Sequence, residues 1–318
     1  MPVTDILNTQ FEKKATRDGY GAGLVEIGAE NPKVVVLEAD LSGSTKTKKF
    51  GEKYPERFFN YGVAEQNLIG QAAGFALSGL IPVASSFAMF AAGRAWEIFR
   101  NSVGYPHLNV KVAATHAGIT LGEDGASHQI IEDIALMRVI PGNTVMVPAD
   151  YHQAAAAIKA AVKYVGPVFL RLGRPNVPTL YSATDTAEPG GSHLLQSGGN
   201  VVFIACGVMV YEAFKAAALI EKETGTRITV IDAYSVKPLD NATILRETAN
   251  AKLVVTFEEH NIMAGLGGAV AELLGQGDRS LPPGDTVGVV TVEHSHVRLR
   301  GVRPSQLGTR LQGLEHGD

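Results

Sequence analysis

The sequence has one cysteine, Cys206, in 318 residues. A lone thiol closes no internal disulfide, so the core must hold the fold, and this cysteine usage fits a reducing cytoplasm. No run of about 18 uncharged apolar residues occurs, so no segment has the pattern of a membrane-spanning helix. Neither sign of charge dominates: 28 Lys and Arg face 32 Asp and Glu, for a formal net charge of −4. Without a basic excess or a long basic run, nothing favours nucleic acid as a partner. Residues 1–18 are polar and charged, unlike a signal peptide. Short repeats and low-complexity tracts are missing. So is any HxxxH or CxxC spacing, and no metal ligands are expected in this chain.

What is present is a rhythm. Hydrophobic residues make up 45% of the chain, an ordinary share for a globular protein, and the length suggests two or three domains. Short β-branched runs at 34–37, 82–87, 110–115, 144–147 and 168–170 read as strands. Helical stretches at 64–78, 88–102, 128–139 and 151–164 alternate with them. This alternation predicts a parallel sheet with helices on both faces. Residues 175–199 hold Pro175, Pro178 and Pro189, then Gly190, Gly191, Gly198 and Gly199, and read as a linker. The rhythm then restarts, with strands at 201–205, 227–231, 253–257 and 287–292 and helices at 210–224, 241–248 and 267–274. The expected fold class is α/β: two doubly wound domains, 1–184 and a smaller 185–318. Weak periodicity after about residue 302 predicts a poorly ordered tail.

Three stretches carry chemistry. Tyr61-Gly62-Val63-Ala64-Glu65-Gln66-Asn67 ends a strand-like run and opens a helix. Helical spacing puts Glu65 on the apolar stripe of Leu68, Ile69, Ala72 and Ala76. It is either a first-turn acid facing the helix dipole or a buried carboxyl that hydrogen-bonds a ligand nitrogen. In Ser85-Ser86-Phe87-Ala88-Met89-Phe90, two rings three residues apart share a helix face and can grip a flat heterocycle, though such pairs often serve only the core. The third stretch, residues 115–129 (THAGITLGEDGASHQ), sits between a strand and a helix, where α/β sheets place their sites. It packs His116, Glu123, Asp124 and His128 among three glycines that let backbone approach a ligand closely. A solvated acidic turn is the alternative.

In order and spacing, these three runs resemble the pyrimidine-binding half of transketolases, from about residue 17 to 176. A looser likeness continues through 232–239 (DAYSVKPL) and 256–260 (TFEEH). The resemblance implies that Glu65 contacts the aminopyrimidine nitrogen of thiamine diphosphate and activates its reactive carbon. It implies that Phe87 and Phe90 pack on the pyrimidine and that Asp40 lies near the cofactor at a subunit contact. Asp124 would bind the substrate's second hydroxyl, and His128 would stand at the mouth of the donor site. Arg17, Ser44, His116 and Arg174 would hold a sugar phosphate, for which arginine's charged fork is suited. The family's third aromatic, one turn beyond Phe90, is Gly93 here, and Trp96 is the candidate to compensate.

The family's diphosphate and metal site, a Gly-Asp-Gly followed by an asparagine, has no counterpart, and the chain begins where a second transketolase domain would. The resemblance therefore implies a two-gene enzyme in an α2β2 assembly. An N-terminal-half partner would supply the diphosphate site and Mg2+ or Ca2+. Residues 292–298 (VEHSHVR) also depart from the family's aromatic-Gly-Glu-Ser run. The expected activity is transfer of a two-carbon ketol unit between sugar phosphates. A 1-deoxyxylulose-5-phosphate synthase shares the glutamate motif but is usually one chain. The beta subunit of a 2-oxo-acid dehydrogenase needs no sugar-phosphate pocket. A noncatalytic binding module should have lost Glu65 or the loop acids.

Overall fold

The computed structural model describes residues 6–276 and the backbone of Val289–Glu293 and His296–Arg300. The expected tail beyond residue 302 lies outside the described residues. Thirteen of the strands among the described residues build the body: β1 (Lys13–Ala15), β2 (Val34–Glu38), β3 (Phe58–Asn60), β4 (Ile81–Phe87), β5 (Lys111–Thr115), β6 (Thr144–Met146), β7 (Val168–Arg171), β8 (Asn176–Pro178), β9 (His193–Gln196), β10 (Val201–Ala205), β11 (Thr229–Asp232), β12 (Ser235–Lys237) and β13 (Leu253–Phe257). A seven-stranded sheet runs β12-β6-β7-β5-β4-β2-β3, and a four-stranded one β13-β10-β11-β9. β2 to β7 are mutually parallel, as expected. Val34 and Val36 pack into one core with Tyr20 and Ile158, while Val35 and Leu37 pack into another with Leu68 and Phe99. Helices cover both faces, which is why these strands read as continuous apolar runs.

Four features depart from the sequence expectation. The helix Thr16–Glu30 was not anticipated, because it lacks an apolar stripe and carries Gly19, Gly21, Gly23 and Gly28. Two of these glycines let it lie against the helix Tyr151–Lys163. A Cβ at Gly19 would sit 1.9 Å from the Tyr151 carbonyl oxygen, and one at Gly23 2.7 Å from that of Ala155. Close backbone approach here replaces side-chain interdigitation. The expected helix 88–102 is two π-helical segments, Met89–Arg94 and Phe99–Gly104, around the short helix Trp96–Ile98. Bonds from Ala95 N–H to Phe90 O and from Tyr105 N–H to Arg100 O span five residues, the widened turn of a π-helix. The supposed linker contains β8 and β9, and β9 joins the second sheet antiparallel to β11. β12, from the C-terminal half, crosses to pair antiparallel with β6 of the first sheet.

The halves are also joined by a buried acid. Asp232 Oδ2 accepts from Gln153 Nε2 and from Tyr181 Oη, both at 2.6 Å. Burial pushes its pKa up to about 7. The folded state thus holds a proton that the unfolded state, with an ordinary pKa of 3.8, releases, so stability falls as pH rises between those values. A thermal melt series from pH 4 to 8 should show wild type losing ground against Asp232→Asn as pH rises; parallel curves would count against a protonated Asp232.

Candidate active site

The predicted site residues lie along the carboxyl edge of the first sheet, where parallel α/β sheets bind ligands. Asp40 and Ser44 follow β2, Glu65 follows β3, Phe87 closes β4, His116 follows β5 and Arg174 follows β7. All but Asp40 fall into two groups that meet at His116.

The first group surrounds Glu65. It opens the helix Glu65–Leu77, which buries it with Leu68, Ile69, Ala72 and Ala73. The side chain is only 2% exposed. Oε1 receives a long bond from Ser86 Oγ at 3.5 Å, whereas Oε2 is buried with no hydrogen-bond partner among the described residues. Arg94 Nε stands 3.9 Å from that Oε2, on a side chain 61% exposed. Arg94 also reaches over Phe90, 6.0 Å from the ring centroid. Phe87 is the last residue of β4 rather than part of a helix. Its ring still stacks with that of Phe90, with centroids 6.3 Å apart and planes 18° from parallel. His116 stacks on Phe87 at 3.8 Å, and His128 stands edge-on to Phe90 at 5.2 Å. A Cβ on Gly93 would meet nothing within 4 Å. Trp96 does not fill that space: it is packed against the core, and its Nε1 donates to Leu136 O at 2.8 Å.

The second group is basic. Arg17 Nη1 donates to Ser44 O and to His116 Nε2, each at 3.1 Å. Arg17 Nε is buried without a partner among the described residues. Ser44 therefore contributes a backbone carbonyl to Arg17. Arg174 donates from Nη1 to Leu121 O and to Glu123 Oε2. Glu123 is 80% exposed, and its bond to Arg174 draws its carboxyl pKa down to about 2. Asp124 is exposed and lies within electrostatic reach of both arginines. Asp40 joins neither group in its hydrogen bonds. Its Oδ1 accepts from Asn60 Nδ2 at 2.9 Å, and its own N–H donates to Asn60 Oδ1 at 3.1 Å.

His128 was expected at the start of a helix, but it lies in the turn ahead of the helix Asp133–Arg138. Gly118 and Ile130 exchange backbone bonds of 3.0 and 3.2 Å. That bridge closes residues 119–129 into a loop and uses Ile130 groups that a helix would need. Sequence reasoning missed Glu38, which is fully buried. Its Oε2 accepts from the N–H groups of Ala39 and Leu41, and its Oε1 from the hydroxyls of Thr45 and Thr47. It shapes the turn that presents the Ser44 carbonyl. A carboxylate ending a strand with two threonines following was the only available signal.

His116 is an uncharged element of this basic group. An arginine only donates, so His116 Nε2 must accept and Nδ1 must carry the proton. Nδ1 then donates to Thr115 Oγ1, 2.9 Å away. Burial, reinforced by Arg17, Arg174, His128 and Lys46, holds the pKa down to about 3. Nitrogen-15 spectra at pH 5 should find His116 neutral with hydrogen on Nδ1; titration near 6.5 would refute the assignment. The unfolded chain takes up this proton first, so His116 costs stability as pH falls from 6.5 toward 3.

Family models match both halves: the transketolase pyrimidine-binding domain over residues 12–179 and the transketolase C-terminal domain over 190–298. A transketolase C-terminal section from Methanocaldococcus jannaschii is 49% identical over 263 residues, 82% of each chain. A 6-deoxy-6-sulfo-D-fructose transketolase subunit from a Clostridium strain is 38% identical over 274 residues, 85% of each chain. Among solved structures, a split-gene transketolase in the form of an inactive β4 tetramer superposes with a TM-score of 0.80 at 51% identity, covering 88% of both chains. The chain belongs to the transketolase family and carries its pyrimidine-binding and C-terminal domains.

Proposed function

We propose that this chain is one subunit of a thiamine-diphosphate-dependent transketolase, which moves a two-carbon ketol unit from a ketose phosphate to an aldose phosphate. The observation that carries the proposal is Glu65 Oε2, buried with no hydrogen-bond partner among the described residues and 3.9 Å from Arg94, the arginine that reaches over Phe90. A buried polar atom left unpaired costs about 1–3 kcal/mol. A protonated Oε2 donating to an aminopyrimidine ring nitrogen would remove that cost, so the residues present fit this half of the cofactor. When bound, thiamine diphosphate supplies the carbanion-stabilising chemistry. The chain's own groups then have separable tasks. Glu65 holds a proton at Oε2, and Ser86 orients the other oxygen. Phe87 and Phe90 exclude water and clasp the ring. Asp124 and His128 take substrate hydroxyls, and Arg17 and Arg174, with neutral His116 and the Ser44 turn, take the substrate's anionic end. Asp40 is assigned to the rim at the subunit contact.

The diphosphate end and Mg2+ or Ca2+ are assigned to an N-terminal-half partner in an α2β2 assembly. The inactive β4 form of the split-gene relative supports this. The decisive experiment is calorimetric titration of thiamine diphosphate with Mg2+ into the chain alone and into its mixture with the partner. Binding and ketol transfer should appear only in the mixture, and robust turnover by the purified chain alone would sink the proposal. The relative named for a sulfonated ketose favours a second donor class, with a sulfonate in place of the phosphate. A sulfonate offers three oxygens to Arg17 and Arg174, as a phosphate does.

A further inference from the structure

The loop bearing Asp124 and His128 is held from the other half of the chain. Glu259 follows β13 and is 7% exposed. Its Oε1 accepts from two successive amides, Ile119 N–H at 2.9 Å and Thr120 N–H at 2.7 Å. Gly118 stands just before them with φ of +79°, and a Cβ there would lie 2.1 Å from the Glu259 carboxyl carbon. The backbone therefore passes directly against the carboxylate at a residue that only glycine tolerates.

Glu259 is itself braced. Its carbonyl accepts from Arg171 Nη2 at 2.8 Å, and Arg171 Nε donates to Asp133 Oδ2 at 2.7 Å. The next residues grip the chain just beyond the far end of that loop: His260 Nε2 accepts from Ala135 N–H at 3.3 Å in the helix Asp133–Arg138, and Asn261 Nδ2 donates to Ile131 O at 2.6 Å. Across the loop, Gln129 Nε2 donates to Ile119 O at 2.9 Å. Gly122 and Gly125, both with positive φ, lie in the span between these grips. Such a span keeps a fixed course only if its ends are fixed.

We infer that Glu259 is a positioning residue: through the Ile119 and Thr120 amides it sets the path of the loop that presents Asp124 and His128. The C-terminal half thus acts on the site without lining it. This rests on the site assignment made above for Asp124 and His128. A charged acceptor shared by two amides is among the stronger hydrogen-bonding arrangements, and its loss should matter to the loop more than to the whole fold.

The test compares Glu259→Ala, Glu259→Gln and Asn261→Ala in the full chain. Amide hydrogen exchange is read at Ile119 and Thr120. Glu259→Ala should speed exchange there by about ten- to hundredfold. Glu259→Gln keeps an acceptor oxygen and should stay near wild type. Asn261→Ala breaks a different bond across the same junction and should leave those two amides protected. In the complex with the partner, Glu259→Ala should lower kcat by at least about tenfold and hardly change thiamine diphosphate affinity, with glutamine restoring it. Unchanged exchange in Glu259→Ala would overturn the inference. So would equal acceleration in Asn261→Ala, or faster exchange with unaltered kcat. If the wild-type complex transfers no ketol unit, the proposed activity fails, and the exchange data alone decide whether Glu259 positions the loop.

Discussion

Glutamine at position 65 in the assembled enzyme should slow proton exchange at the cofactor's reactive carbon beyond the ~10²–10⁴-fold typical of a single acid–base group. The substitution preserves shape. Ser86 can still donate to Oε1, and the side chain still caps the same buried stripe on its helix. What is lost is specific to Oε2, which has no hydrogen-bond partner among the described residues. An amide nitrogen there has no exchangeable acid proton to give and recover. Cofactor affinity should change less, because Phe87 and Phe90 contribute apolar contact that glutamine does not disturb. Proton exchange followed by NMR in the complex separates the two quantities. An unaltered exchange rate would make Glu65 a structural first-turn acid.

Removing Arg174 should cost roughly ten- to hundredfold in kcat/KM on a phosphorylated acceptor and little on its unphosphorylated analogue. Without substrate, Arg174 is engaged by Glu123 and the Leu121 carbonyl. An incoming anion must displace Glu123. That exchange is favourable because Glu123 is solvated and an exposed ion pair contributes little, whereas the anion would also face Arg17, whose Nε lacks a hydrogen-bond partner among the described residues. Arg174→Ala also frees the loop at Leu121, so both acceptors must be assayed. Equal losses on both would assign Arg174 to the fold or the cofactor, and the sugar-phosphate pocket would have to be withdrawn. A sulfonated ketose donor run alongside distinguishes the two anion classes.

The sequence was most legible where one physical signal sufficed. Runs at 34–37 and 201–205 are packed on both faces, so their hydrophobicity is unbroken and their strands were evident. The stripe under Glu65 was legible because helical spacing alone fixes it. Thr16–Glu30 was not, since glycines that admit a neighbouring helix look like helix breakers when that neighbour is unseen. The π-helical turns after Phe87 were equally hidden, because the same residues satisfy a 3.6-residue period until tertiary packing widens the turn. Pairings across the halves were out of reach for the same reason. Glu259 lies far from Ile119 in sequence, and no local pattern marks it as a partner for the loop.

β12 has a consequence for any attempt to cut the chain. It belongs to the C-terminal half, yet it completes the outer edge of the first sheet by covering β6. A fragment ending near residue 184 would leave that edge bare, with main-chain donors and acceptors open to any extended peptide. Such edges drive self-association. Expressed alone, the fragment should therefore aggregate, and a proteolytic nick around residues 182–190 should leave two pieces that still travel together on a sizing column. For expression, crystallisation or gene fusion, the smallest unit that keeps the first sheet closed extends past Lys237.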